Sequence, residues 1–373
     1  MTGTAAAAEA SSPAKEQTVV LPGQTPAGEH ILGVLLKRTY DIRRGARCTR
    51  ADADRKLISG DKHYSDPMGP SVEFEADFVP FKLATDVVLN GTAWAPGGRR
   101  NETFTASLTV SRFPPKEVLI LGDRICRFRE GKPPAFEDPK PVASMELRYE
   151  RAYGGVDVWS DPDMQCIYGR NHLGRGFAIA NTRKVVEGLQ LPNLEDPHDR
   201  LTPERLCIGH FIHWERQPMP AGLGWIAKFW RPRALLAGVM PADKAVEEEL
   251  RQAYALAVPP AQRQQYLDAK LPDMDFRFFN GAPPGMVLPY LAGDEDITAT
   301  NLSRDGSLSF ALPGDKPRIG LDIGEGAQEP TVVLHTVMIR LDDRQVDLVW
   351  RAAVPYSGPD WLPEMRKLEV MIQ

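Results

Sequence analysis

The sequence predicts a mainly β fold of the α+β class: an antiparallel sheet or sandwich core with long ordered loops and a few peripheral helices. Apolar and polar residues alternate in segments of both the first and the last third of the chain, as half-buried strands require. The 373 residues include 33 prolines and 31 glycines, which interrupt helices and strands and favour turns. Clear helical periodicity is confined to residues 241–271.

The first third predicts antiparallel strands. In FTASLTV (104–110) four apolar residues alternate with threonine and serine. ILGVLLKRTYDI (31–42) shows the same period, which places Lys37 and Thr39 on the polar face. KEVLILGDRICRF (116–128) is a further predicted strand.

The last third predicts one clear helix and two hairpins. The helix covers PADKAVEEELRQAYALA (241–257), with apolar residues on one face, and a second short helix follows at 261–271. Segment 301–312 predicts a hairpin with its turn at an Asp-Gly pair, and segment 331–352 predicts another that turns at Asp-Asp-Arg. The segment between these thirds, 147–240, has weak periodicity and predicts ordered, side-chain-pinned loops with short strands.

Three parts of the chain differ in composition. Residues 1–28 are rich in small residues and lack the apolar run of a signal peptide, so we expect a disordered lead. Residues 29–353 predict a single β-rich domain, and residues 354–373 predict a C-terminal extension.

Composition argues against several functional classes. A net charge of −5 provides no basic footprint for nucleic acid. The four cysteines form no CxxC pair, which indicates free thiols in a reducing compartment, and no apolar run is long enough for a bilayer. We therefore expect a cytoplasmic protein. The chain has no complete nucleotide- or dinucleotide-binding motif, so no cofactor is predicted.

LRYERAYGG (147–155) places opposite charges and two tyrosines directly before two glycines. A guanidinium carries five donors, which suit the carbonyl groups that loops leave without ladder partners. We expect Arg148, Glu150 and Arg151 to act as a polar clamp on the glycine-rich loops, with Tyr149 or Tyr153 packed inward.

LPNLEDP (191–197) holds Glu195 and Asp196 between two prolines. Carboxylates in such a rigid segment commonly cap a turn or pair with an arginine, and this is the favoured interpretation. The alternative is a hydrolase, perhaps one acting on glycans, in which two carboxylates from 147–197, with Glu150 as a partner, flank the bond that is cleaved.

Cys207, His210 and His213 stand three residues apart and are residue types that zinc accepts. Gly209 lies among them, and no second ligand cluster is obvious nearby in the sequence. A loop with partly buried imidazoles is therefore the favoured interpretation, and we predict no metal site.

Nine segments, in this order, resemble the family catalogued as domain of unknown function 2169. The resemblance covers roughly residues 31–352, and the order of the segments makes it more specific than any one of them. The segments are SVEFEADFVPFKLATDVVLNGTAWAPGG (71–98), LRYERAYGG (147–155), GRNHLGRGF (169–177), LPNLEDP (191–197), PAGLG (220–224), WRPR (230–233), DFRFFNGAPP (275–284), NL (301–302) and LVWRA (348–352).

The resemblance implies a non-enzymatic adaptor or chaperone of bacterial type VI secretion. Members of the family are linked to the binding of a toxic effector, or of its PAAR-type carrier, and to its loading onto the VgrG spike. The resemblance therefore implies protein partners and carries no catalytic residues.

GWIAKFWRPR (224–233) is the segment that we expect to bind such a partner. Trp225, Phe229, Trp230 and Arg233 are residue types that dominate the energetics of protein interfaces. The alternative is that the tryptophans belong to the core, since large aromatic side chains are usually well buried.

Overall fold

The fold was analysed in a computed structural model of the chain, which describes residues 17–65, 70–157, 166–179, 186–206, 217–231, 233–238, 274–324, 326–356 and 369–373. The predicted helices at 241–257 and 261–271 lie outside these ranges, as do Cys207, His210 and His213. Within them the regular secondary structure is almost entirely strand, and the 3-10 helices are three to five residues long. The predicted mainly β fold is therefore confirmed.

The strands, in chain order, are β1 (Gln17–Gln24), β2 (His30–Asp41), β3 (Thr49–Arg50), β4 (Lys62–His63), β5 (Val72–Phe74), β6 (Thr85–Asn90), β7 (Thr92–Trp94), β8 (Thr103–Val110), β9 (Lys116–Leu121), β10 (Cys126–Arg127), β11 (Ala135–Phe136), β12 (Ser144–Glu146), β13 (Tyr153–Gly154), β14 (Val156–Asp157), β15 (Cys166–Ile167), β16 (Arg175–Gly176), β17 (Leu194–Glu195), β18 (Val287–Leu288), β19 (Asp296–Ser303), β20 (Gly306–Ala311), β21 (Ile319–Asp322), β22 (Val333–Arg340), β23 (Gln345–Pro355) and β24 (Glu369–Ile372). The 3-10 turns are Pro96–Gly98, Tyr149–Arg151, Arg233–Ala237 and Phe276–Phe279.

The larger sheet has the strand order β1-β2-β23-β22-β6-β18, with β3 attached to β2. Strands β2 and β23 pair antiparallel along their whole length, from Ile31 opposite Pro355 to Asp41 opposite Gln345. Strands β22 and β23 form the predicted hairpin, which closes between Arg340 and Gln345. Strand β6 runs parallel to β22, so the first and last thirds of the chain meet in one sheet.

The second sheet has the order β17-β9-β8-β19-β20, and all its pairs are antiparallel. The hairpin β19–β20 closes between Ser303 and Gly306, as the Asp-Gly pair predicts. Inward side chains of both sheets, such as Val34, Leu108 and Leu348, belong to one hydrophobic core. Apart from the parallel pair β6–β22, both sheets are antiparallel, and their shared core makes a sandwich, one of the two arrangements that the sequence analysis leaves open.

The face of strand β2 that was predicted to be polar and exposed is buried in the structure. Lys37 and Thr39 are buried, because the strand lies inside the sheet and is covered on both sides. The ammonium group of Lys37 lies 2.8 Å from a carboxylate oxygen of Asp77, and the Thr39 hydroxyl donates to Asp347 Oδ1 at 2.7 Å. These partners satisfy polar groups that the alternation alone places in solvent.

Both chain ends add strands to the domain. Strand β1 pairs with β2 from Gln17 to Gln24, so the predicted disorder of residues 1–28 is wrong for this stretch. Strand β24 in the C-terminal extension pairs with β21, and its Val370 and Ile372 pack on the main core. The turn and strand signals in these short segments are weak. Strand β1 pairs with the next strand of the chain, whereas the pairing of β24 depends on β21, which is distant in the sequence.

The middle of the chain has a second, smaller core. Tyr153, Tyr168 and Phe177 are buried in it, together with Leu191 and Leu201. Two-residue strand pairs and turns surround this cluster, including the parallel pair β13–β16. The described part of 147–240 therefore consists of ordered loops with short strands, as predicted. Among the described residues, no helix has the length and apolar character needed to cross a membrane.

Candidate functional site

The LRYERAYGG segment forms a tight turn that is held from inside. Its 3-10 turn, Tyr149–Arg151, leads directly into β13. The fully buried Asn171 side chain donates to the backbone oxygens of Tyr149 at 2.8 Å and of Tyr153 at 3.1 Å. A Cβ atom at Gly154 would overlap the backbone oxygen of Asn171, so this close approach requires glycine. One amide side chain thus replaces the ladder hydrogen bonds that the turn lacks.

Glu150 binds backbone and hydroxyl donors, and its partner is not an arginine. Its two carboxylate oxygens accept from the Ser71 amide at 2.7 Å and the Ser71 hydroxyl at 2.8 Å. The neighbouring Arg148 lies 4.2 Å from the centre of the Tyr64 ring and pairs with Glu146 at 3.2 Å. The Glu150 carboxylate therefore ties the turn to the segment before β5.

The clamp prediction needs a correction at Arg151. Its backbone oxygen accepts from the Asn193 amide at 2.8 Å, and its backbone amide donates to Arg148. Among the described carboxylates, none forms an ion pair with its guanidinium. Arg175 lies in the predicted clamping role instead, donating to the Glu150 backbone oxygen at 3.0 Å and to the Asn193 side chain at 3.2 Å.

Glu195 is almost completely buried between two arginines. Its oxygens lie 2.5 Å from Arg124 Nη2 and 3.1 Å from Arg200 Nε. Burial raises the pKa of the Glu195 carboxyl, and the two arginines oppose that shift. Asp196, which is less buried, accepts from the His198 amide at 2.9 Å and lies 3.5 Å from Lys116 Nζ. Both carboxylates therefore have partners that fix the 191–197 segment in place.

The predicted partner-binding residues separate into one exposed and three buried side chains. Trp225, Trp230 and Arg233 are each at most 4% exposed, whereas Phe229 is 60% exposed. The indole of Trp230 packs edge-on against Tyr149, with ring centres 5.2 Å apart. Trp225, Trp230 and Arg233 therefore belong to the interior, and of these four predicted residues only Phe229 exposes an apolar surface to solvent.

Arg233 is the centre of a buried ionic network. Its guanidinium forms two hydrogen bonds of 2.6 Å with the carboxylate of Glu75. It also donates to the backbone oxygens of Ile226 at 2.6 Å and Phe278 at 2.8 Å. Lys228 lies 3.8 Å from the same carboxylate. This bidentate geometry joins three segments that are distant in sequence.

A second buried ion pair lies beside the first. Lys82 Nζ lies 2.6 Å from Asp86 Oδ2, and both side chains are at most 5% exposed. Asp86 also accepts from the Asn280 side chain and from the backbone amides of Gly281 and Ala282, at 3.1 to 3.2 Å. The FNGAPP loop is therefore fixed by a carboxylate of β6 on one side and by the Arg233–Glu75 pair on the other.

An open cavity of about 210 Å³ lies over this network. The surface that lines it is mostly apolar. Arg277 and Val287 in its lining are exposed, so the cavity opens to solvent. Its described lining consists of Arg170, Met219, Pro220, Ile226, Arg231, Arg233, Leu236, Arg277, Asn280, Ala282, Pro284 and Val287.

Four of the nine segments quoted above contribute to this lining. GRNHLGRGF provides Arg170, PAGLG provides Pro220, WRPR provides Arg231 and Arg233, and DFRFFNGAPP provides Arg277, Asn280, Ala282 and Pro284. The described lining holds four arginines and no aspartate or glutamate. We call the cavity with this lining the arginine-lined cavity. This cavity is the candidate functional site of the chain.

Two polar clefts of about 140 and 590 Å³ lie near β7 and β12, and both are lined by Thr92, Glu146 and Asp342. Their lining contains arginines as well as carboxylates, so they carry no single sign of charge. Glu150, Glu195 and Asp196 line none of the three cavities. Among the described residues, no cluster of histidine, cysteine and carboxylate side chains could hold a metal ion.

Sequence reasoning missed the polar and charged residues that build the floor of the cavity. Glu75, Lys82, Asp86 and Asn280 all lie within quoted segments, but none was singled out. The signal was present only in part: Asp86 stands directly before the apolar residues Val87, Val88 and Leu89, and a buried carboxylate requires a partner. Nothing in the sequence alone pairs Glu75 with Arg233, which lies 158 positions away.

A family model matches residues 27–351, which include the whole second sheet, most of the larger sheet, the loop region and the described lining of the cavity. No curated protein and no solved structure matches the chain. The match covers well over half of the 373 residues. The chain therefore belongs to the bacterial family described as "Uncharacterized protein conserved in bacteria (DUF2169)".

Proposed function

We propose that this protein is a non-enzymatic adaptor or chaperone of type VI secretion. It binds a secreted toxic effector, or the PAAR-type protein that carries it, in the cytoplasm and assists loading onto the VgrG spike. The type VI assignment comes from the family resemblance. The arginine-lined cavity is the structural observation that carries the proposal of a protein-binding role.

The cavity supports binding in three ways. It is open, mostly apolar and built on a rigid polar floor, which are the properties of surfaces that accept a partner side chain. The exposed ring of Phe229 lies two positions before Arg231 of the lining and adds apolar surface nearby. An adaptor needs a preformed binding surface of this kind and no reacting groups.

The hydrolase alternative, which uses the paired carboxylates of 147–197, has less support. Glu150 accepts two hydrogen bonds from Ser71, and Glu195 lies between Arg124 and Arg200. A glycosidase requires two carboxylates that face the same bond across a cleft. The partners of Glu150 and Glu195 instead hold loops together, which favours a structural role for both.

Purification of the tagged chain from its native host, grown while the secretion genes are expressed, tests the proposal. We expect a toxin-like or PAAR-type protein to be recovered at a fixed ratio to the chain and identified by mass spectrometry. A tagged, unrelated cytoplasmic protein from the same cells provides the background. Recovery of the chain without such a partner would contradict the adaptor proposal.

A further inference from the structure

We propose that the larger of the two polar clefts binds a segment of a partner polypeptide that carries one acidic and one basic side chain. This cleft, of about 590 Å³, lies between the hairpin tips of the sandwich, and we call it the hairpin cleft. The inference adds a second contact surface to the arginine-lined cavity. It rests on the proposed function only in taking the occupant to be a polypeptide.

The hairpin cleft is formed by one hairpin of each sheet. Residues 302–305 of the β19–β20 hairpin line it, together with Asp342 and Arg344 of the β22–β23 hairpin. No described lining residue stands within ten positions of a residue outside the described ranges. Loops at the ends of a sheet sandwich commonly carry binding residues, because the sheets beneath them form a rigid support.

Two residues with positive φ shape this cleft. Asn301, at φ 57°, lies in a bulge of β19, and its side chain donates to the backbone oxygen of Thr105 in β8 at 2.8 Å. Arg344, at φ 54°, lies in the turn of the other hairpin, in a conformation that favours glycine. Such conformations have an energetic cost, and bulges often redirect side chains beside functional sites. Both features therefore point to the hairpin cleft as a binding site.

Most charged side chains of the cleft are paired within the protein. The Glu146 carboxylate lies 3.2 Å from Arg148. Asp305 Oδ2 lies 3.1 Å from Arg44 and 3.4 Å from Arg344, which joins the two hairpin tips. These ion pairs hold the walls of the cleft together and leave little charge to select a partner.

Arg304 and Asp342 are the charged residues of the described lining that remain. The Arg304 guanidinium lies over the Trp94 ring, 4.5 Å from its centre, and no described carboxylate forms an ion pair with it. The Asp342 carboxylate accepts from the Thr92 hydroxyl at 3.2 Å, and no described lysine or arginine pairs with it. Both side chains are exposed. The cleft thus offers one unpaired charge of each sign.

A segment with one acidic and one basic side chain is complementary to this pair. Stacking on Trp94 orients the Arg304 guanidinium, whose N–H donors suit a carboxylate of the partner. Asp342 accepts from a lysine or arginine of the same segment. Two charges of one sign would meet one opposite and one like charge, so the net attraction is smaller. The volume lies within the roughly 300–1,000 Å³ of ligand sites and is large enough for two side chains.

Fluorine NMR of the full-length chain, labelled with 5-fluorotryptophan, tests the inference at low salt. The chain has seven tryptophans, and the loss of one resonance in Trp94→Phe identifies Trp94. The probes are glycine-serine peptides with Glu and Arg separated by one, two or three residues, and matched peptides with two Glu, two Arg or two Gln. We expect a Glu-Arg peptide to shift the Trp94 resonance with a Kd at least about tenfold below those of its matched peptides.

Charge reversal should change which peptide binds. Arg304→Glu leaves two negative charges in the cleft, so we expect the two-Arg peptide to bind at least about tenfold more tightly than the Glu-Arg peptide. Asp342→Lys should likewise favour the two-Glu peptide. Arg112→Glu is the control, since Arg112 is also exposed and lies over an aromatic ring, Phe113, but lines none of the three cavities. Thermal unfolding shows that each variant is folded.

Equal shifts of the Trp94 resonance by all peptides, or no shift by any, would overturn the inference. So would an unchanged peptide preference in both Arg304→Glu and Asp342→Lys. Shifts confined to other tryptophan resonances would place the binding elsewhere and also overturn it. These results are independent of the co-purification: failure of every peptide beside a recovered effector refutes only the hairpin cleft, and peptide binding without a recovered partner refutes only the adaptor role.

Discussion

The sheet sandwich and the loop region at 147–206 are stabilised in different ways. Across the two sheets, ladder hydrogen bonds satisfy the backbone, and apolar side chains such as Leu36 and Leu348 fill the space between. In the loop region the strand pairs are two residues long, and side chains such as Asn171 and Arg175 satisfy the backbone instead. The apolar cluster around Tyr153 is correspondingly small.

This difference shows that buried polar side chains can stabilise a region of the chain as an apolar core does. Asn171 is fully buried and bonds two backbone oxygens and one backbone amide of its surroundings. Leaving a buried polar group without a partner lowers the free energy of unfolding by more than the hydrogen bond itself contributes. Substitutions at Asn171 or Arg233 should therefore destabilise the chain as strongly as a cavity in the sheet core.

Breaking the buried ion pair beneath the cavity should have the largest effect. Arg233→Met leaves the Glu75 carboxylate buried without its bidentate partner, and we expect a loss of about 3–5 kcal/mol in the free energy of unfolding. Urea denaturation at pH 7.5 measures it, with Arg318→Met at an exposed ion pair as the control. Adding Glu75→Gln should restore part of the loss, and a double variant no more stable than Arg233→Met would contradict this explanation.

Asn171→Ala should have the next largest effect. It removes the side-chain donor to the Tyr153 backbone oxygen and the side-chain acceptor of the Leu173 amide, whereas the Tyr149 oxygen keeps its bond from the Ala152 amide. We expect a loss of about 2–3 kcal/mol, since each unsatisfied buried group costs about 1–3 kcal/mol. Leu348→Ala, with an expected loss of about 2–5 kcal/mol from the cavity it creates, provides the comparison in the sheet core. A loss below that of an exposed asparagine substitution would show that the loop region does not depend on this residue.

The pH dependence of stability should depend on a buried histidine within the larger sheet. His335 of β22 is buried beside Lys82 and accepts a hydrogen bond from Arg351 Nε at 3.0 Å, and burial holds its pKa well below the ordinary value. Below about pH 6.5 the unfolded chain binds a proton at this residue that the folded chain does not, so the stability falls as the pH falls. Its contribution to the slope approaches about 1.4 kcal/mol per pH unit.

Urea denaturation at pH 7.5, 6.5 and 5.5 measures this slope. The natural chain should lose more stability toward pH 5.5 than His335→Asn does, because the variant cannot take up the proton. Parallel curves for the two proteins would contradict the assignment.

Arg151→Ala should have the smallest effect. The contacts that the structure gives this residue are made by its backbone, which the substitution retains. We therefore expect a change within about 0.5 kcal/mol, as for an ordinary surface substitution. Thermal unfolding beside Arg175→Ala, whose guanidinium holds Glu150 and Asn193, makes the comparison. An equal loss of thermal stability in Arg151→Ala and Arg175→Ala would show that the Arg151 side chain also holds the loops, as the clamp prediction states.

The strands and hairpins could be predicted because their signal is local, whereas their assembly into two sheets could not. Alternation in FTASLTV and the turns at Asp305-Gly306 and Asp342 to Arg344 specify strands and hairpins within a few residues. The burial of Lys37 could not be predicted, because the period-2 pattern does not say that both faces are covered. The partner of Lys37, Asp77, comes from a loop 40 positions away.

The candidate site could be predicted only in part. The segments that line the cavity can be identified in the sequence. Which of their side chains turn inward cannot, because it depends on pairs such as Arg233 with Glu75. Arginine and tryptophan are residue types of both interfaces and buried networks, so composition alone does not separate Phe229 at the surface from Trp230 in the core.

The most direct test of the account is the amount of effector secreted by a strain that lacks this chain and receives one variant of it. We predict that Glu150→Gln supports secretion at the natural level and that Val287→Glu, expressed and folded equally well, reduces it strongly. Normal secretion with Val287→Glu, together with loss of secretion with a folded Glu150→Gln, would contradict the account. That result would favour the alternative in which the carboxylates carry the function.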